Sequence, residues 1–312
     1  MRKIAIGLVI ALLATVPWII GGRYAFHVAT MITIMIPLAL SINLTLKLGQ
    51  LSLAQPAFMG IGAYTGALLT MHLGFPPVIS ILAGAAFAAA IALATGPIFL
   101  RIKGVYFVLL TYAFGQIINL IFQHWTSLLG GNNGLFGIPK FSIAGLNLGT
   151  IPGGYYALGL VVALTSYLAL RLFETSDAGT ICDSLNEDEM LCRSIGADAH
   201  AWRVAAFTLS AFIAGAAGGV YAFYIGFISP DTFGFQASVD LIVMNVIGGP
   251  TSALGPVLGA IIVVPLLELL RDARQYQLLV YGISLIFFVI YFKQGLVSVI
   301  ERPRKLSNAG HA

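Results

Sequence analysis

The chain has 312 residues, of which 59% are hydrophobic and only 9% charged, with a formal net charge of +4. A typical soluble domain carries about 25% charged residues, so this set cannot dress a water-facing surface, and the bilayer is the solvent the composition calls for. The basic residues sit at the ends of apolar segments, so the positive balance reads as a membrane-topology signal and not as a nucleic-acid footprint.

Apolar segments lie at 4–20, 24–46, 51–73, 78–100, 104–126, 153–171, 204–226, 237–248, 256–270 and 276–292. A helix needs about 20 apolar residues to cross a bilayer. In lipid each segment must satisfy its own backbone hydrogen bonds, which at these lengths leaves helices. The expected fold is therefore an all-α polytopic membrane protein with about 8–10 transmembrane helices, a single domain over residues 1–312. In the first segment Arg2 and Lys3 precede residues 4–20. That stretch is long for a signal-peptide core and no small-x-small cleavage site follows it, so it reads as an uncleaved span.

With the N-terminus inside and every segment crossing, the inside holds twelve basic residues: Arg2, Lys3, Lys47, Arg101, Lys103, Arg171, Arg193, Arg203, Lys293, Arg302, Arg304 and Lys305. The outside holds four: Arg23, Lys140, Arg271 and Arg274. The positive-inside rule then predicts that both termini are cytoplasmic. Two spans, 237–248 and 256–270, are short and flank the Gly/Pro-rich break GGPTSALGP at 248–256. They either both cross or dip in and return. A second break, KLGQLSLAQP at 47–56, interrupts the 24–73 region. Paired interruptions of this kind mark a transport path in many carriers, or they are ordinary turns.

Within the spans, Asn43, Gln55, Gln116, Asn119 and Asn245 are neutral polar candidates for the translocation path. Their amides can meet a polar solute without burying a charge, or they tie helices together, an effect of about 0.6–2 kcal/mol. Asp240 and Glu268 are the only acids in the spans, both placed near the outer edge, and Asp240 joins the path candidates. The pairs Gly62/Gly66, Gly215/Gly219 and Gly255/Gly259 have small-xxx-small spacing and are expected to let helices approach closely. Trp18, Trp125, Tyr155 and Tyr156 lie near span ends and fit interfacial anchoring.

Two polar stretches remain. Residues 127–152 read as an external Gly/Asn-rich loop. Residues 172–203, a cytoplasmic loop in this topology, hold nine of the chain's 28 charged residues and seven of its twelve acids. Inside it, residues 184–196 have the grammar of a short helix. Ser184 and Glu187 form a capping box. Glu187, Asp188 and Glu189 occupy the first turn, where the helix dipole favours anions. Arg193 lies in the last turn and Gly196 suits the left-handed position beyond it. Leu185, Cys192 and Ile195 share one face. Such a helix lies on a membrane surface, stands solvated, or docks in a partner's groove. Its acidic polar face disfavours the first, and its apolar stripe fits the last.

Chemistry is sparse. No G-x-x-x-x-G-K-[ST] loop occurs, so nucleotide hydrolysis must reside on another chain if transport is ATP-driven. The five histidines are scattered without ligand spacing, Cys182 and Cys192 fit no zinc or CxxC pattern, and no Ser/His/Asp set emerges. Neither an enzyme nor a metal or cofactor site is expected. The competing transport class is an ion-coupled secondary carrier, with Asp240 as its coupling group.

The stretches ALSINLTLKLGQLSLAQPAFMGIGAYTGALL (39–69), LNEDEMLCRSIG (185–196), YAFYIGFISPDTFGF (221–235), VIGGPTSALGPVLGA (246–260) and LVYGISLIFFVIYFKQGL (279–296) resemble, in order, signatures of the branched-chain amino acid ABC permeases of the LivM type. The resemblance implies the importer-permease fold of the branched-chain amino acid/ribose group in a bacterial inner membrane. It also implies a sister permease, two cytoplasmic ABC ATPase subunits, a periplasmic substrate-binding protein, and a branched-chain or related amino acid or amide as solute. It makes residues 172–203 the coupling loop, with Glu189 and Gly196 in the helix that inserts into the ATPase. The chain departs from the usual pattern at Ser184–Leu185–Asn186, at Leu191 and Cys192, and at Gln55, where a histidine is frequent.

Overall fold

The computed structural model describes residues 21–143, 146–151, 153–176, 179–181 and 199–270, with isolated positions at 279, 282, 283, 286 and 295–297. The expected first span, the 184–196 helix and most of the last span lie outside the described residues.

Eight helices carry the described fold: α1 (Arg23–Lys47), α2 (Gln55–Leu73), α3 (Pro77–Phe99), α4 (Val105–His124), α5 (Gly154–Thr175), α6 (Ala199–Ile225), α7 (Phe235–Gly248) and α8 (Leu254–Leu269). Five of them, α1, α3, α4, α5 and α6, are long and apolar enough to cross a membrane. At 1.5 Å per residue, α7 and α8 reach only about 21 and 24 Å, short of the roughly 30 Å hydrocarbon core. They pack against each other and against α1.

The centre of the molecule is set by small residues. Helices α2, α3 and α6 pack closely in all three pairings. A Cβ on Gly62 of α2 would collide with the backbone of Gly215 on α6, and one on Gly84 of α3 would stand 2.5 Å from the Gly62 carbonyl oxygen. Gly218 of α6 lies equally tight on the Met59 carbonyl of α2, while Gly219 meets Ile81 of α3 and Gly66 meets the Ser80 carbonyl. Side chains larger than hydrogen at Gly62, Gly84 or Gly218 would force the axes apart. In lipid, where apolar burial between helices gains little, such van der Waals contact is what holds a bundle. A second glycine seam joins the short helices: Gly259 of α8 abuts the Met244 carbonyl of α7, and Gly255 abuts that of Gly249.

Helix α1 is shared among many elements. It contacts α6, α5, α8 and α7, and fifteen of its residues are buried. Pro37 interrupts its hydrogen-bond ladder. Helix α4, by contrast, buries only Phe107, Thr111, Asn119 and Phe122. Its Val105, Leu109, Ile117 and Leu120 are exposed, as are Ile79, Leu82 and Leu93 of α3. An apolar exterior of this extent suits lipid or another apolar chain.

The segment expected as an irregular loop at 127–152 is more ordered than its composition implied. Strand β1 (Leu135–Phe136) pairs antiparallel with β4 (Phe227–Ile228), and β2 (Ser142–Ile143) with β3 (Leu146–Asn147). Phe141 between them is fully buried, and its N–H donates to the Tyr155 hydroxyl at 3.0 Å. The helices flanking the 172–203 stretch also run into it. Helix α5 continues to Thr175, with Arg171 pairing Glu174 at (i, i+3), and α6 spans Ala199–Ile225, with Arg203 buried.

Candidate functional site

Two non-helical breaks meet the core. After Lys47 the chain turns at Gly49 (φ 71°) and runs outside any helix or strand to Gln55. Irregular backbone at membrane depth is tolerated only where protein groups satisfy it, and here they come from two neighbouring helices. The Leu53 N–H donates to Thr111 Oγ1 of α4 (3.1 Å), and the Leu53 carbonyl accepts from Ser238 Oγ of α7 (3.1 Å). The second break, 249–253, joins α7 to α8. There Asn43 Nδ2 of α1 donates to the Pro250 carbonyl (3.0 Å) and to Asn245 Oδ1 (3.2 Å), while Asn245 Nδ2 donates to the Ala39 and Leu241 carbonyls (3.0 Å each). Both asparagines are fully buried. One amide pair therefore ties the second break onto α1.

Beside α7 lies a cavity of about 290 Å³. Met31 and Met35 of α1, Met59 of α2 and Met244 of α7 form its soft wall, and Asp240 of α7 and Glu268 of α8 bring carboxylates to it. Asp240 accepts from Gln236 Nε2 at 3.2 Å. Glu268 Oε1 lies 3.5 Å from His27 Nε2, and His27 Nδ1 lies 2.7 Å from the Tyr224 hydroxyl. This chain of polar groups links α8, α1 and α6 at one end of the bundle. At the other end of α1, Lys47 pairs with Glu174 of α5. Arg171 binds the same carboxylate at 3.2 Å and donates from Nε to the Tyr167 hydroxyl at 3.0 Å. The helical rise from His27 to Lys47 is about 30 Å, so the two polar clusters are separated by about the thickness of a hydrocarbon core.

The family described as "Branched-chain amino acid transport system / permease component" matches residues 24–289, a stretch containing all but the first residue of the eight helices. The chain belongs to this family. The permease is 33% identical to the high-affinity branched-chain amino acid transport system permease protein LivM of Escherichia coli (strain K12), over 96% of its own length and 76% of the relative's. It is also 33% identical to LivM of Salmonella typhimurium (strain LT2), over 93% and 74%. No solved structure matches it. With these relatives and its long apolar helices, the permease is a multi-pass membrane protein.

The polar residues named from the sequence take different places in the permease. Asn43 and Asn245 face each other. Gln55, fully buried, donates from Nε2 to Ser210 Oγ of α6 at 3.2 Å. Asn119 donates to the Pro230 carbonyl at 2.8 Å and accepts from Gln123 Nε2 at 2.7 Å. Gln116 is half-buried one turn earlier on α4. Of the six, only Asp240 lines the cavity. His27, Tyr224 and the four methionines carry no local motif. They converge from four helices, and only the three-dimensional packing brings them together.

The asparagine pair makes a measurable prediction. Asn43→Ala strands the Pro250 carbonyl and Asn245 Oδ1, and Asn245→Ala frees the Ala39 carbonyl. Interhelical hydrogen bonds in membranes are worth about 0.6 kcal/mol on average, up to about 1.7, so each variant should unfold a few degrees early. Thermal unfolding of the double variant should show a coupling of roughly 0.5–1.5 kcal/mol. Strictly additive effects would remove the pair from the account.

Proposed function

We propose that the permease is the membrane-embedded translocation subunit of an ATP-driven importer in a bacterial inner membrane. It pairs with a sister permease, is driven by two cytoplasmic ABC ATPase subunits, and receives branched-chain or related amino acids or amides from a periplasmic binding protein. The observation that carries this reading is the relationship to two LivM proteins across nearly the whole chain. In this assignment both termini and the Lys47–Glu174–Arg171 cluster face the cytoplasm, and the Asp240 cavity faces the periplasm. Residues 172–203 are the coupling loop, in which Glu187, Asp188, Glu189, Arg193 and Gly196 form the helix that meets the ATPase. The breaks carrying Gln55 and the Asn43–Asn245 pair are the points that loosen as the path opens, with Asn119 and Gln116 beside the outer turn and Asp240 at the mouth. Closely packed glycine seams let α2 and α6, and α7 and α8, slide with little side-chain rearrangement.

The test is composition followed by reconstitution. The tagged permease, purified from its native membrane, is expected to bring down an ABC ATPase and a second permease. Vesicles of that complex should take up radiolabelled leucine only with internal ATP and added binding protein. Uptake by the permease alone on an ion gradient would replace this reading with the secondary carrier.

A further inference from the structure

The cavity beside α7 combines three features that are individually common and together fit one kind of molecule. The first is its apolar wall. Four of the chain's seven methionines line it, from three different helices. Thioether side chains are unbranched and polarisable, and they adapt to apolar bodies of different shape. The second is its charge. Asp231, Asp240 and Glu268 line the cavity and no lysine or arginine does, so its field favours an ammonium group and repels an acidic side chain. The third is the start of α7. Gln236 and Ala237, in its first turn, line the cavity, and no side chain caps that turn. The first N–H groups of a helix have no partner within it and attract anions, and interrupted membrane helices present such ends to the carboxylates of their solutes.

We infer that this cavity is a binding site on the permease itself for a single zwitterionic amino acid with an apolar side chain. The ammonium group sits against Asp240 and Glu268, the carboxylate at the start of α7, and the side chain on the methionine wall. Ligand cavities run from about 300 to 1,000 Å³, so a volume of about 290 Å³ stands at the small end of that range and suits one amino acid. His27, paired with Glu268 at 3.5 Å, holds that carboxylate and links ligand contact to α1 and, through Tyr224, to α6. This inference deepens the importer reading and rests on it for the identity of the solute, but it places recognition on this chain as well as on any delivering protein.

The experiment measures binding without transport. The full chain in lipid nanodiscs, free of ATPase and binding protein, is equilibrated with radiolabelled leucine. Saturable binding is expected. Isoleucine should compete, whereas 4-methylpentanoate, which lacks the ammonium group, and glutamate, which adds a carboxylate, should not. Asp240→Asn and Glu268→Gln, both nearly isosteric, should each weaken leucine binding roughly tenfold or more while eluting as monodisperse protein. The site is overturned if the unaltered chain binds no leucine, if 4-methylpentanoate competes as well as isoleucine, or if neither substitution changes the affinity. The competitor panel decides on the unaltered chain even where a variant does not fold. Failure of ATP-dependent uptake with leucine binding intact would sink the importer reading and leave the site. Uptake with binding blind to both carboxylates would do the reverse.

Discussion

A permease carrying Gly62→Leu is expected to insert but not to reach its packed state, and to elute as aggregate or broadened species on fluorescence-detected gel filtration. At Gly62 the backbones of three helices converge: a Cβ there would collide with Gly215 of α6, while Gly84 of α3 presses on the Gly62 carbonyl from the other side. Overpacking a core that can shift its side chains costs about 1–3 kcal/mol. Here the opposing atoms are main chain, so no rotamer change relieves the contact, and whole helices must separate. The loss should therefore exceed that range and remove a large share of the stability of an ordinary domain, about 5–15 kcal/mol. Gly66→Ala is the control. Its added methyl would meet the Ser80 carbonyl at 3.3 Å, a contact that a shift of a few tenths of an ångström relieves, and the variant should behave nearly as the parent. A monodisperse Gly62→Leu permease with unchanged melting would mean that α2 and α6 do not touch through their backbones.

The contrast between those two glycines shows what the sequence can carry. Both belong to one small-xxx-small pair, and spacing alone cannot say which meets a backbone and which a gap. Nor does it single out Gly84 or Gly218, two of the central seam's six glycines, which lie outside the spaced pairs. Helix positions are far more readable, because the bilayer imposes length and apolarity on each span separately. The segments expected at 24–46, 78–100 and 104–126 correspond to α1, α3 and α4 within a few residues at either end. The start of α6 moves five residues earlier than its apolar stretch begins, since Arg203 is buried within the bundle and hydropathy counts it as an end. Asn43 and Asn245 are both conspicuous as polar residues in apolar surroundings. That they meet across 202 positions follows only from the way α7 folds back on α1. The cavity is the least readable feature: Asp240 and Glu268 stand out as charges, but its methionines are unremarkable among so many apolar residues.

Uptake is expected to fail in two separable ways when the cytoplasmic side of the assigned topology is altered. Glu189→Ala and Gly196→Leu change the helix proposed to enter the ATPase. In that proposed helix, losing the first-turn acid should weaken the dipole interaction, and a leucine in place of the glycine expected just beyond its end should be strained. Both variants should insert and melt normally yet retain little ATPase on co-purification. Glu174→Gln acts upstream of that contact. Its carboxylate holds Lys47 at the end of α1 and Arg171 on α5, so α5, which precedes the proposed coupling loop, is clamped to the helix that lines the cavity. Without the acid, two cations face each other in a partly buried setting, where loss of one partner costs more than loss of a surface pair. The ATPase should still bind and hydrolyse ATP, but leucine uptake per ATP should fall by roughly tenfold, about 1.4 kcal/mol of lost coupling. The reversal Lys47→Glu with Glu174→Lys should recover part of it, because the pair is restored while Arg171 keeps a carboxylate nearby. If Glu174→Gln instead lowers ATPase binding to the level of Glu189→Ala, the clamp belongs to the docking surface itself. If it alters neither ratio, α1 receives its motion by another route.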